Sequence, residues 1–350
     1  MATTATDKSE APRIAVFGAG LVGIFIGGAL APHAEVTLIG RAEKLAPLAA
    51  GLRLTDVDGR DETVDPDRLR LATGPEALAG AELVLVTVKG LATGAAGQAI
   101  GAHAPQDAVV LSFQNGVSNA GLLRAAAPGH RVLAGMVPFN VAARGPAHYH
   151  RGTAGALVAE AHPALERFLG AFAAAGLPLS LSHDIDAVLW GKLLVNLNTA
   201  VNALSGVPLA EELRQRAYRQ AWALTMREGM ALTRRAGIRP VDPLPMPLEL
   251  MPAILSLPDR LYRFVMAQAA GGRVRVDPHA RSSMADDLAE GRPTEVELLN
   301  GEVVRLAERL GRRAPANACM VRLVRAAEAG ARPMAGPELL ALLRAAARGG

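Results

Sequence analysis

Short β-rich runs recur through the first half of the chain, at residues 14–17, 35–39, 83–88, 109–113 and 132–137. Between them, residues 21–30, 94–103 and 118–126 carry helix-compatible patterns. Apolar strands without polar alternation are buried on both faces, and their alternation with helices predicts a doubly wound, mostly parallel α/β sheet. From about residue 180 the strand runs stop. Amphipathic stretches at 184–204, 210–236, 260–269, 294–310, 316–328 and 337–347 replace them, punctuated by Pro and Gly, and predict an all-α second domain. The expected organisation is a disordered polar leader at 1–11, an α/β domain at 12–182 and a helical domain at 183–350.

A length of 350 residues exceeds what one hydrophobic core usually fills, in keeping with two domains. Cys319 is the single cysteine, which excludes an intramolecular disulfide and any multi-thiolate metal site and fits a reducing, cytoplasmic compartment. The net charge of +4 is spread without a block of one sign or basic-aromatic interleaving, so a nucleic-acid partner is not expected. Residues 14–31 form an uninterrupted apolar or glycine run of 18, long enough to raise a membrane span. Five of the 18 are glycines, and a strand, a turn and a buried helix explain the run better, so no membrane is expected.

The turn carries the first chemistry. Gly18-Ala19-Gly20-Leu21-Val22-Gly23 follows a strand and opens a helix, the context in which G-x-G-x-x-G binds a dinucleotide. The first glycine makes the turn, the second admits a pyrophosphate, the third permits helix–strand packing, and the helix N-terminus offers N–H groups to the anion. The second strand ends in Gly40-Arg41, where a carboxylate would grip a ribose 2′-hydroxyl. Arg41 favours a 2′-phosphate instead, hence NADP, with Lys44 adding charge; a solvated loop arginine is the plainer alternative.

Of 37 Lys and Arg residues only four are lysine (Lys8, Lys44, Lys89, Lys192), leaving 33 arginines. In such a chain a surviving lysine points to a need for an amine, which can give up a proton where a guanidinium cannot. Lys89 closes the third strand run at its carboxyl edge, and Lys192 lies inside the apolar Trp190-Gly191-Lys192-Leu193-Leu194-Val195-Asn196. A snorkelling lysine is the alternative for each. On one continuous helix Lys192, Asn196 and Thr199 share a face, with Asn198 and Asn202 adjacent. Gln114-Asn115-Gly116 follows the fourth strand run as either a turn or a pair facing a cofactor. Thr294 and Glu297 have capping-box spacing, which leaves Glu295, at the first helical position, free for another role or for the helix dipole. None of the eight histidines has zinc-like spacing with a carboxylate, and His148-Tyr149-His150 alternates between opposite faces if extended, so no metal is expected.

The ordered set GAGLVG at 18–23, Arg41, VKG at 88–90, QNG at 114–116, WGKLLVN at 190–196, RSSM at 281–284 and TEVELLNG at 294–301 resembles the ketopantoate reductase (2-dehydropantoate 2-reductase) family over about residues 12–330. The resemblance implies an N-terminal Rossmann domain, a helical domain and a cleft between them in which NADPH reduces ketopantoate to pantoate on the way to pantothenate and coenzyme A. It implies Lys192 as general acid and Glu295 as the group positioning the lysine and the substrate hydroxyl. Asn196 and Ser283 would hold the hydroxyacid, with Lys89 and Asn115 lining the junction of cofactor and substrate. The partner implied is a small 2-oxo acid, with a homodimer left open. Ala200 and Ala280 stand where other members place substrate-facing asparagines, so another bulky 2-oxo acid is the alternative substrate. A non-catalytic NADP-binding sensor would have lost the amine at 192 or the carboxylate at 295, and both are present.

Overall fold

The computed structural model describes residues 11–243, 246–269 and 280–349; all but the last residue of the expected leader lie outside them. Among the described residues twelve strands form two sheets: β1 (Arg13–Phe17), β2 (Glu35–Ile39), β3 (Leu52–Asp56), β4 (Asp61–Val64), β5 (Leu69–Ala72), β6 (Leu83–Val86), β7 (Val109–Ser112), β8 (Arg131–Met136), β9 (Val141–Gly145), β10 (His148–Arg151), β11 (Leu157–Glu160) and β12 (Leu179–Ser182). The larger has the order β12-β11-β8-β7-β6-β1-β2-β5, parallel throughout except where β11 meets β8. The smaller has the order β4-β3-β10-β9. The five runs legible in the sequence are β1, β2, β6, β7 and β8; β6 and β7 are buried at every residue.

Helix Leu21–Leu30 explains the 18-residue apolar run. It packs on β1 and β2 of the larger sheet and on β3, β9 and β10 of the smaller, so almost all of its circumference is buried. Its consecutive glycines set both spacings. A Cβ on Gly27 would come 2.4 Å from Leu38 Cδ2 of β2, and one on Gly28 would come 2.3 Å from Leu52 Cδ2 of β3. Among the described residues no helix is long and apolar enough to cross a membrane. On β10 the histidines do not lie on opposite faces: His148 and His150, two residues apart, share one, and Thr55 Oγ1 lies 2.9 Å from a ring nitrogen of each.

Two compact units are resolved. One runs to Gln114 and from Asn119 to Ile185 and holds both sheets; the other gathers Asn115–Ser118 with the chain from Asp186 onward. The second unit is helical and has its own core, in which helix Arg216–Arg235 packs against Met251–Leu255, Val296–Arg309 and Gly336–Gly349. Arg219 on that central helix is wholly buried. Its guanidinium donates to the carbonyls of Leu213, Leu255 and Leu257 and to Asp259, and stacks 4.1 Å from the Tyr262 ring centroid. Such a fan of directed donors is a role lysine could not fill.

The expected continuous helix at 184–204 is two: Ile185–Asn196 and Asn198–Ser205, broken at Leu197. Thr199 Oγ1 donates to the Asn196 carbonyl at 2.8 Å, a side-chain bond that competes with the helical ladder at the break. The polar stripe read on one helix is therefore divided, with Thr199 spent on its own backbone.

Candidate active site

The glycine loop is built by close backbone approach. Gly18 has φ +124°, and its N–H and that of Ala19 both donate to the Ile39 carbonyl, at 2.9 and 3.1 Å. A Cβ on Gly18 would meet Val88 N at 2.5 Å, and one on Gly23 would meet Gly18 O at 2.1 Å and Thr87 Oγ1 at 2.5 Å. Gly20 differs: a Cβ there would have no neighbour within 4 Å. It is also the N-cap of helix Leu21–Leu30, which has no side-chain cap. The loop is thus closed toward β1 and β6 and open at its middle glycine, beside uncapped helix N–H groups. Ala19 is buried, Val22 half-buried and Leu21 exposed.

Arg41 follows β2 and has a side chain 74% exposed, paired with Glu43 at 3.2 Å. Lys44 is exposed on the next turn. Lys89 is exposed too, at the start of the short helix Gly90–Ala92, rather than in the apolar surroundings its strand suggested; the apolar run stops short of it at Val86. Sequence reasoning passed over Gln114 beside it. Gln114 Nε2 donates to Val88 O at 3.1 Å and Thr93 Oγ1 at 2.8 Å, and its Oε1 accepts from Ser112 Oγ at 3.0 Å. This buried amide ties the end of β7 to the 88–93 turn; its only sequence signal was its place in QNG.

In the helical unit three side chains from distant parts of the chain form one hydrogen-bonded line. Lys192 Nζ donates to Asn115 Oδ1 at 2.9 Å, and Asn115 Nδ2 donates to Glu295 Oε2 at 3.4 Å. The amide separates cation from carboxylate, and its orientation is fixed by the two partners. Burial lowers the Lys192 ammonium from 10.5 to about 8, against the opposing pull of Glu295. Gly191 explains how the helix is held: a Cβ there would come 1.9 Å from Val241 O, and the Val241 N–H donates to Ala187 O at 2.9 Å.

Asn196 is half-buried at the end of its helix, and Ser283 is exposed at the first position of helix Ser283–Ala289. Its neighbour Ser282 caps that helix and donates to Thr199 O at 3.1 Å, and the Ser282 N–H donates to Asn202 Oδ1 at 2.8 Å. Asn202 is wholly buried and also donates to Val207 O at 3.1 Å, a bracing role for the RSSM turn.

The capping box is not formed. Helix Val296–Arg309 starts one residue later than expected, with Glu295 as N-cap and no side-chain cap bond. The Thr294 N–H and hydroxyl both donate to Glu328 Oε1, at 2.7 and 2.6 Å, while Glu297 turns to Arg325 at 3.4 Å and Arg305 at 3.9 Å. A carboxylate 34 residues away, itself paired with Arg325, outcompetes the local one.

The family models ketopantoate reductase PanE/ApbA and ketopantoate reductase PanE/ApbA C terminal match residues 14–164 and 184–328. A 2-dehydropantoate 2-reductase of Halobacterium salinarum is 30% identical over 84% of this chain and 92% of its own. A PanE/ApbA family ketopantoate reductase structure from Ralstonia eutropha superposes with a TM-score of 0.74 at 33% identity, covering 91% of this chain and 98% of that one. A D-mandelate dehydrogenase in complex with NADH and anilino(oxo)acetate shares the fold, with a TM-score of 0.71, 20% identity and coverage of 91% and 98%. These matches define a pyridine-nucleotide-dependent oxidoreductase acting on a CH–OH group. The chain belongs to the ketopantoate reductase family.

Proposed function

We propose that this chain reduces 2-dehydropantoate to pantoate with NADPH, using Lys192 as the proton donor. The observation that carries the reading is the half-buried Lys192, its ammonium hydrogen-bonded to Asn115 and through it to Glu295. The glycine loop suits the cofactor: Gly20 leaves open the space a side chain would fill, while Gly18 and Gly23 are packed against backbone. Arg41 is exposed, and its pair with Glu43 is weak enough to yield to a 2′-phosphate dianion, which a guanidinium grips bidentately. A bound NADPH supplies hydride to the carbonyl carbon.

The residues of the chain supply the proton. Charge builds on the ketone oxygen as the new C–H bond forms, and an ammonium beside it both stabilises that charge and releases H⁺ to it. Lys192 is left as a neutral amine, which its burial favours, and regains its proton from solvent. Asn115 Oδ1 accepts from Lys192 before transfer and holds the amine in place afterwards. The Glu295 carboxylate keeps the amine basic enough to reload near neutral pH.

A second reading, another bulky 2-oxo acid, rests on two alanines. Ala200 is wholly buried in the helical core, and the Ala280 carbonyl is taken by the Leu209 N–H at 2.9 Å, so neither offers a side-chain amide to a substrate. Initial rates with a panel of 2-oxo acids, each with NADPH and NADH, separate the readings. Ketopantoate with NADPH should give the highest kcat/KM; a clear preference for an aromatic or differently branched acid would replace it as substrate.

A further inference from the structure

Glu295 is held by its neighbours in sequence rather than by a cap of its own. Its backbone, at φ −92° and ψ 22°, lies between the extended chain before it and the helix after it. Thr294, the residue before it, is wholly buried and gives both its N–H and its hydroxyl to one oxygen, Glu328 Oε1, at 2.7 and 2.6 Å. The residue after it, Val296, donates its N–H to the same Thr294 hydroxyl at 3.4 Å. Both sides of Glu295 therefore hang on one carboxylate oxygen. The second oxygen of Glu328 accepts from Arg325 at 2.8 Å, and Arg325 reaches on to Glu297 Oε1 at 3.4 Å, in the first turn of the helix that Glu295 opens.

Local energetics do not call for a glutamate at 328. It is the last residue of helix Pro315–Glu328, where a negative charge meets the negative end of the helix dipole. Burial would raise its carboxyl further, yet the bonds from Thr294 and Arg325 outweigh burial and hold it below the usual carboxylate range. Its contribution is tertiary.

We propose that Glu328 is a positioning residue for Glu295, acting through Thr294 to set the distance between the Glu295 carboxylate and the Asn115–Lys192 pair. The proposal builds on the reading of Lys192 as proton donor. Loss of the clamp lets residues 294–296 shift, and because Asn115 Nδ2 to Glu295 Oε2 is already 3.4 Å, a small shift uncouples the carboxylate. Lys192 then loses the interaction that opposes its desolvation.

The test uses the full-length protein and three variants, Glu328→Ala, Thr294→Val and Thr294→Ser. Because the chain has only four lysines, reductive ¹³C-methylation yields few lysine signals, and Lys192→Arg assigns the one of interest. In the wild type that signal should titrate near 8. In Glu328→Ala, which removes the accepting oxygen that a glutamine would keep, and in Thr294→Val it should titrate lower, and kcat should fall by about tenfold as the carboxylate is misplaced. Thr294→Ser, which keeps the hydroxyl, should match the wild type in both. Unchanged titration and turnover in Glu328→Ala and Thr294→Val, with only melting temperature reduced, would overturn the proposal. Should Glu328→Ala not fold, the two Thr294 variants decide it by the same criteria. The titration needs neither cofactor nor substrate. A shifted signal in a protein that reduces no 2-oxo acid therefore supports the clamp and removes the functional reading instead.

Discussion

Raising the pH should switch off reduction through one group, Lys192. Burial brings its ammonium down to about 8. At that value it is about 90% protonated at pH 7, half protonated at about pH 8 and about one-tenth protonated at pH 9, whereas an exposed lysine would remain almost fully charged throughout. With Lys192 in its proposed role the acid form is the donor, so kcat/KM for reduction should be level below about pH 7.5 and fall about tenfold per unit above about pH 8.5. Oxidation of the hydroxyacid needs the free amine and should rise over the same range. The assay is the initial rate of NADPH absorbance loss at subsaturating 2-oxo acid and constant ionic strength, with Lys192→Ala alongside. That variant should lose about 10²- to 10⁴-fold in kcat and lose the basic limb with it. A wild-type profile level to about pH 9.5, or the same limb persisting in Lys192→Ala, would refute the assignment.

The same burial carries a stability cost of known sign. The folded state holds the Lys192 proton less tightly than the unfolded chain, so the ammonium opposes folding at neutral pH, and the opposition fades as pH rises from about 8 to 10.5. The difference is worth about 3 kcal/mol at pH 7. Lys192→Met should therefore be more stable than the wild type at pH 7 by about 2 kcal/mol, after about 1 kcal/mol for the lost Asn115 hydrogen bond. Denaturant titrations at about pH 7 and pH 10.5 should show that gain shrinking at the higher pH.

Further substitutions separate folding from chemistry. Gly20→Ala should melt within about 2 °C of the wild type but bind NADPH at least about tenfold more weakly, since its Cβ has no protein neighbour within 4 Å; Gly23→Ala, forced to within 2.1 Å of Gly18 O, should lose stability. Measured by kcat/KM with each nucleotide, Arg41→Asp should reverse or flatten a preference for NADPH, and equal use of both nucleotides by the wild type would remove Arg41 from the cofactor site. Glu295→Gln should lower kcat/KM at least about tenfold at a nearly unchanged melting temperature. Glu297→Gln, by contrast, breaks exposed pairs with Arg305 and Arg325 and should cost at most about 1 kcal/mol with turnover intact.

What the sequence determined by itself lies mostly within short stretches of chain. The glycine loop was legible because its packing requirements, a positive φ at Gly18 and no side chain at Gly18 or Gly23, are met by residues only five apart, flanked by a strand and a helix. The central strands were legible because burial on both faces leaves no choice but apolar residues. Lys192 stood out against the arginine bias. Tertiary structure alone decided which group each polar side chain meets. Lys192 finds Asn115 across 77 positions, and Thr294 finds Glu328 across 34 in preference to Glu297 three residues on. Strands such as β4 and β10 form from short polar sequences because their neighbours supply the hydrogen bonds. Lys89 is exposed although its strand is apolar, and one Thr199 hydroxyl accompanies the break in an otherwise unbroken helical pattern. Backbone geometry is dictated by residues within a turn of one another. A buried polar group must be satisfied by whatever partner packing brings nearest, and a spacing rule read along the chain cannot see a carboxylate that arrives from another helix.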